Sequence, residues 1–180
     1  MITKIFMLSF TLVLALSFIN RRIETLYDQI APTLTAAPAL SPTLEPDTGF
    51  QYFALSVFEL INAERCAHGF EPLLWHDVLY EIAWEHSKDM ATGDFMSHWG
   101  TDGSNARVRV SRAGIRWLRV AENIAAGQST PEMVVAAWMS SPGHRGSILN
   151  PLFTHLGVGF YHQEGTQFRY YWTLKFIMIR

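Results

Sequence analysis

Three side chains far apart along the chain carry groups from which a polar site can be assembled. They are His98 in Phe95-Met96-Ser97-His98, Glu122 in Ala121-Glu122-Asn123-Ile124-Ala125, and His144 in Trp138-Met139-Ser140-Ser141-Pro142-Gly143-His144-Arg145. Two neutral imidazoles and a carboxylate can bind zinc with a water in an open position, or can move a proton without metal. His98 and His144 are the metal-ligand candidates, and the cofactor reading is zinc or none. Glu122 is open to three roles: orienting an imidazole, accepting its proton, or ligating directly. The bland alternative is a structural cluster tying helix ends to a sheet, with Glu122 paired to a backbone amide or to Arg145.

Other catalytic patterns fail on inspection. The chain has no Gly-x-Ser-x-Gly elbow, no His-Glu-x-x-His helix, no phosphate-binding glycine loop and no Cys-x-x-Cys pair. Ser97 beside His98, and Ser140 and Ser141 near His144, are neighbours in sequence rather than members of a triad. Cys66 is the single cysteine, which excludes an intramolecular disulfide and a cysteine-built zinc site. It falls in a helical pattern and reads as a small buried apolar residue rather than a reactive thiol.

The elements that must position these groups follow from periodicity. Apolar residues from Phe53 to about Ala67 recur at helical spacing, with Gly69 as a stop and Asn62, Glu64 and Arg65 toward the polar side. After the connector Pro72-Leu73-Leu74-Trp75, Asp77 caps a second helix that Gly93 ends. His86 lies on its apolar face, a core histidine before a pocket-lining one, while Glu81, Glu85, Lys88 and Asp89 form a solvated face. A short helix precedes Gly114 in a stretch dense in Arg107, Arg109, Arg112, Arg116 and Arg119, read as solvated, with an anionic-ligand patch as the alternative. Trp117 to Ala126 is extended. Ser129 or Thr130 caps a helix from Pro131 that buries Met133, Val134, Ala137 and Trp138, and Ser141-Pro142-Gly143 ends it so that a turn delivers His144. Leu156 to His162 and Arg169 to about Met178 form an antiparallel pair around Gly165. The fold class is α+β, an antiparallel sheet with helices over it.

The amino terminus has a different character. Lys4 precedes an apolar run from Ile5 to Ile19, the layout of an export signal. As a helix it covers ~22 Å against a hydrocarbon core of ~30 Å, a marginal span. Residues 1–30 thus read as a signal peptide or signal anchor with a short helical extension, the uncleaved anchor being favoured. Residues 31–49 form a Pro/Thr/Ala-rich linker whose prolines, Pro46 included, break any helix. Extended, it reaches ~60 Å. The working domain is 50–180. It is secreted or anchored to the outer face of the cytoplasmic membrane, and an uncleaved segment makes the membrane a partner. A formal charge of -2 and the lack of a like-charge tail argue against a nucleic-acid partner.

Asn62-Ala63-Glu64-Arg65, Leu74-Trp75, Phe95-Met96-Ser97-His98, Ala121-Glu122-Asn123-Ile124, Trp138 to Arg145 and Gly157-Val158-Gly159 run in the order seen in the CAP superfamily (cysteine-rich secretory protein, antigen 5, pathogenesis-related 1). Over nearly everything after the linker the chain resembles a bacterial SCP/PR1-like CAP domain. The resemblance implies an α-β-α sandwich with a central antiparallel sheet, and a cleft lined by two histidines and two acids that binds zinc in some members and lipid in others. His98, Glu122 and His144 match three of those four positions. The remaining acid follows the helix tryptophan in many eukaryotic members, where this chain has Met139, Ser140 and Ser141. Other departures are Ala121 for a common glycine, Leu174 for a common glutamine after the threonine, and the missing family cysteines.

Three functions follow. The favoured one is a non-catalytic binding module whose cleft takes a lipid, peptide or other small ligand, since no complete catalytic set is readable. The second is a metal-assisted hydrolase or peptidase, with His98 and His144 on zinc and Glu122 activating water. The third is a surface scaffold.

Overall fold

The computed structural model describes residues 46–179. The expected signal or anchor over 1–30, and most of the 31–49 linker, lie outside the described residues. Nine elements follow in order: α1 (Pro46–Ala67), β1 (Leu74–Trp75), α2 (Asp77–Thr92), α3 (Ala106–Arg112), β2 (Trp117–Ala126), α4 (Pro131–Ser140), α5 (Pro142–Ile148), β3 (His155–His162) and β4 (Tyr170–Ile179). The strands form one sheet in the order β1-β3-β4-β2. β4 is antiparallel to both β3 and β2, and the two-residue β1 runs parallel to β3. Leu74-Trp75 is therefore a sheet edge rather than a plain connector.

Strand alternation sorts the two faces of the sheet. On β4, Trp172, Leu174 and Phe176 point into a large cluster with Ala54, Val57 and Ile61 of α1 and Val134, Val135 and Trp138 of α4. Their neighbours Tyr171 and Ile177 join two smaller clusters built with α2 on the other face. Helices thus cover both faces, the α-β-α sandwich expected. The close seam between α2 and β3 explains the Gly157-Val158-Gly159 motif. A Cβ on Gly157 would lie 2.4 Å from the α2 backbone, and one on Gly159 would lie 2.1 Å from it. Side chains there would force the helix off the sheet.

Several local expectations are corrected. Pro46 opens α1 instead of breaking it, because a proline in the first helical turn removes an N–H that has no helical partner. α2 is capped by His76, whose Nδ1 accepts from the Leu79 N–H, while Asp77 accepts from the Trp75 indole at 2.8 Å. Arg65 is not on a polar face. It is 1% exposed and donates to the carbonyls of Glu71, Ile148 and Asn150, binding the end of α1 to two loops. Cys66, expected to be buried, is exposed, and so is Met133. In both cases helical rotation puts the side chain one position off the apolar stripe. Asp89 is half-buried rather than solvated and accepts two hydrogen bonds from Thr101.

Candidate functional site

The centre of the site is Glu122, midway along the edge strand β2. Register places Lys175 of β4 directly opposite it. Alternation turns both toward α2, where Ser87 and Thr173 form a buried bond of 2.9 Å and His86 is 2% exposed. One Glu122 oxygen takes Lys175 Nζ and Arg109 Nη2, the latter at 3.0 Å. The other accepts from His98 Nδ1 at 2.9 Å and lies 3.9 Å from His86 Nε2. A carboxylate with only 2% of its side chain exposed is thus ringed by a guanidinium, an ammonium and two imidazoles.

His98 reaches this point because its loop is pinned on several sides. His86 Nε2 donates to the Ser97 carbonyl at 3.0 Å, and Arg109 Nη2 donates to the His98 carbonyl at 3.0 Å. Further along the loop, Thr101 N and Oγ1 hold Asp89. Since a carboxylate can only accept, Nδ1 of His98 carries the proton of that bond, and in the neutral ring Nε2 is the nitrogen left with a lone pair. Half of the side chain, 52%, is exposed.

His144 arrives from the opposite side of the strand. Ser141 ends α4 and also precedes α5, so His144 is the third residue of a short helix, not the product of a turn. Proline suits the first position of a new helix, which is why the Ser-Pro-Gly signal starts one as it stops another. Asn123 Nδ2, facing away from Glu122, donates to the His144 carbonyl at 3.0 Å and ties α5 to β2. The imidazole of His144 makes no hydrogen bond or ion pair within the described residues. Burial, and then the charge of nearby His98, hold its pKa below the ordinary histidine value.

The structure therefore joins His98 to Glu122 directly and brings His144 within electrostatic range of His98, without a bond from His144 to Glu122. Arg145 is not the partner of Glu122 and instead donates to His68 Nε2 at 3.1 Å. Arg109 leaves the solvated group assigned to it and turns inward. Lys175 was missed, although it is the single charge in the apolar run Tyr171 to Ile179 and shares the parity of Tyr171 and Ile177. His86 fits both earlier readings, since it is core-buried and also borders a cavity of about 450 Å³ with Asp89, Ser104 and Arg109.

Electrostatics follow from this packing. Burial pushes the Glu122 carboxyl up, but the His98 hydrogen bond and the Lys175 and Arg109 charges outweigh it and hold the group below the usual carboxylate range. Burial lowers Lys175 to about 8, opposed by Glu122. Burial also lowers His86 to about 4, so that ring is neutral. Among the described residues no three His, Cys, Asp or Glu side chains converge closely enough to hold a metal together. The donors zinc would use here are His98 Nε2 and His144, with Glu122 behind the first imidazole, a common arrangement for metal-bound histidine.

Residues 58–176 match the CAP family model, described as the cysteine-rich secretory protein family. The protein YkwD of Bacillus subtilis (strain 168) is 38% identical over 149 residues, covering 81% of this chain and 56% of YkwD. The membrane protein YlbC of the same strain is 32% identical over 111 residues, 62% of this chain and 32% of YlbC. The chain thus spans about half the length of one curated relative and a third of the other. An extracellular SCP-domain protein from Bacillus anthracis aligns with a TM-score of 0.66 at 31% identity, over 76% of this chain and 45% of that one. A cysteine-rich secretory protein of Staphylococcus aureus shares the fold at 21% identity and TM-score 0.59, over 76% of this chain and 40% of that one.

Proposed function

This chain belongs to the CAP, or cysteine-rich secretory protein, family, and on that premise we propose that its domain is a non-catalytic binding module. It works outside the cell or at the outer face of the membrane and receives a small lipid or peptide ligand beside His98 and His144. The observation that carries the reading is the state of Glu122. A general base must be free to take a proton and must have a pKa near the working pH. Glu122 is saturated by Lys175, Arg109 and His98 and is held strongly ionised. Its chemistry is that of an anchor that fixes the tautomer of His98.

The same arrangement supports zinc as an accessory. His98 Nε2 and His144 would hold the ion, with water completing its shell, and zinc when bound would polarise that water. The protein's part is to orient two imidazoles and to hold the neutral His98 ring in the tautomer whose Nε2 is free to ligate. The hydrolase alternative requires Glu122 to leave its cations, and the residues directly after Trp138, Met139, Ser140 and Ser141, supply no second acid.

Zinc calorimetry on the purified chain tests both readings. Binding that is lost in His98→Ala and in His144→Ala, while peptide and ester libraries stay intact, is the expected result. Zinc-dependent cleavage abolished by Glu122→Gln would replace the binding module with the hydrolase. Solvent extraction of the purified protein, read by mass spectrometry, checks for a retained lipid.

A further inference from the structure

The arginine-rich stretch from Arg107 to Arg119 divides in two. Arg109 is used by Glu122, and Arg112 pairs with Asp102. The guanidinium groups of Arg107, Arg116 and Arg119 are on exposed residues and make no hydrogen bond or ion pair within the described residues. From Asn105 to Ala121 no acidic residue interrupts this stretch.

Two of the three free arginines border one groove of about 620 Å³, formed where β2 begins and completed by Asn150, Phe153 and Met178. Among the described residues no carboxylate lines it. Its wall takes four consecutive residues, Trp117, Leu118, Arg119 and Val120. Neighbours in a regular strand point to opposite faces, so four in a row line one groove only where it wraps the open edge of the sheet, helped by a break in alternation. The register shift between Trp117 and Arg119 supplies it and leaves Leu118 50% exposed. The Trp117 indole is fixed by a 3.1 Å bond to Ser111 Oγ. The Asn150 side chain accepts from Leu152 N through Oδ1, and its amide nitrogen is uncommitted.

We propose that this groove is a binding site for a phosphate ester, held by the guanidinium groups of Arg107 and Arg119 and flanked by Trp117 and Leu118. Guanidinium presents paired N–H donors that match phosphate oxygens, and unlike ammonium it favours partly apolar surroundings. The exposed leucine and the indole give the organic part of the ester an apolar bed, which inorganic phosphate would not use. The groove shares no residue with the His98, Glu122 and His144 site and stands independently of the function proposed for it.

The test is nitrogen-resolved NMR on the full-length chain, reading the Trp117 indole N–H while inorganic phosphate, glycerol 3-phosphate or monomeric dihexanoyl phosphatidylglycerol is added. Both esters are expected to shift that signal, more tightly than inorganic phosphate, and the double variant Arg107→Gln/Arg119→Gln is expected to weaken binding at least tenfold. Equal response to both esters assigns a soluble phosphate ester as a sufficient ligand, and response to the lipid alone assigns a phospholipid headgroup. No shift with either ester, or shifts that persist undiminished in the double variant, would overturn the site. Because both arginines are exposed, the variant should keep the parent melting temperature. The single variants give the same reading if it does not.

Discussion

The two faces of the β-sheet are built on different principles. Toward α1 and α4 lies one continuous apolar cluster in which Trp138, Trp172, Leu174 and Phe176 are fully buried. Toward α2 the apolar residues fall into two small groups, around Ile177 and around Tyr171. Between them runs a polar band of Lys175, Glu122, Thr173, Ser87 and His86. The first face supplies stability without directional demands, since apolar burial scales with area. The second uses its interior to fix charges, and a buried ion pair adds little net stability compared with an apolar replacement. Site geometry and fold stability are thus assigned to opposite sides of the same strands.

Substitutions that cross this division should behave differently. Trp172→Ala, on the apolar face, removes a fully buried indole and its 2.7 Å bond to the Gln128 carbonyl. It should lower unfolding free energy by about 3 to 5 kcal/mol in urea titrations. On the polar face Glu122→Gln strands Lys175 and Arg109 and should lose about 3 kcal/mol, whereas Glu122→Leu with Lys175→Met should lose clearly less than the single change. If the double variant is the worse of the two, the polar band is a stability element after all.

Acid should find the same band. His86 is held near 4 by burial against an ordinary value of 6.5, so the unfolded chain binds the extra proton first. Stability from this group is complete above the ordinary value and falls as pH drops from there toward the folded value, by at most about 3 kcal/mol. A chemical-denaturation series across that window should show the slope, and His86→Leu should remove it. The smallest effect belongs to the rim. His98→Ala removes a half-exposed ring and should change stability by less than about 1 kcal/mol, while abolishing zinc binding in calorimetry.

Much of the fold was legible because periodicity and turn chemistry are local. The helix from Pro131 capped by Thr130, the stop at Gly93, and the antiparallel pair after Leu156 all follow from near neighbours in the chain. His98, Glu122 and His144 were legible as a set through ordered motifs. What escaped was what depends on rotation and register. The inward turn of Arg109 is set by where Glu122 sits across space, and helical phase decides whether Arg65 or Cys66 faces the interior. The Lys175 contact is a cross-strand pairing, which local pattern does not specify, though a lone lysine within an apolar strand is the signal to look for one. His144 was placed on a turn because Ser-Pro-Gly ends one helix and begins the next with the same residues.

The claim on which the account rests is that Glu122 is a locked anion and not a poised base. A carbon-13 NMR titration of its side-chain carboxyl, with chelator present, measures this directly. The account predicts a resonance that stays at its ionised position, with no protonation step of its own, from about pH 7 down through the ordinary carboxylate range near pH 4, beside smaller shifts as Lys175 and His86 titrate. A titration midpoint between about pH 6 and about pH 7, where a general base operates, would contradict it.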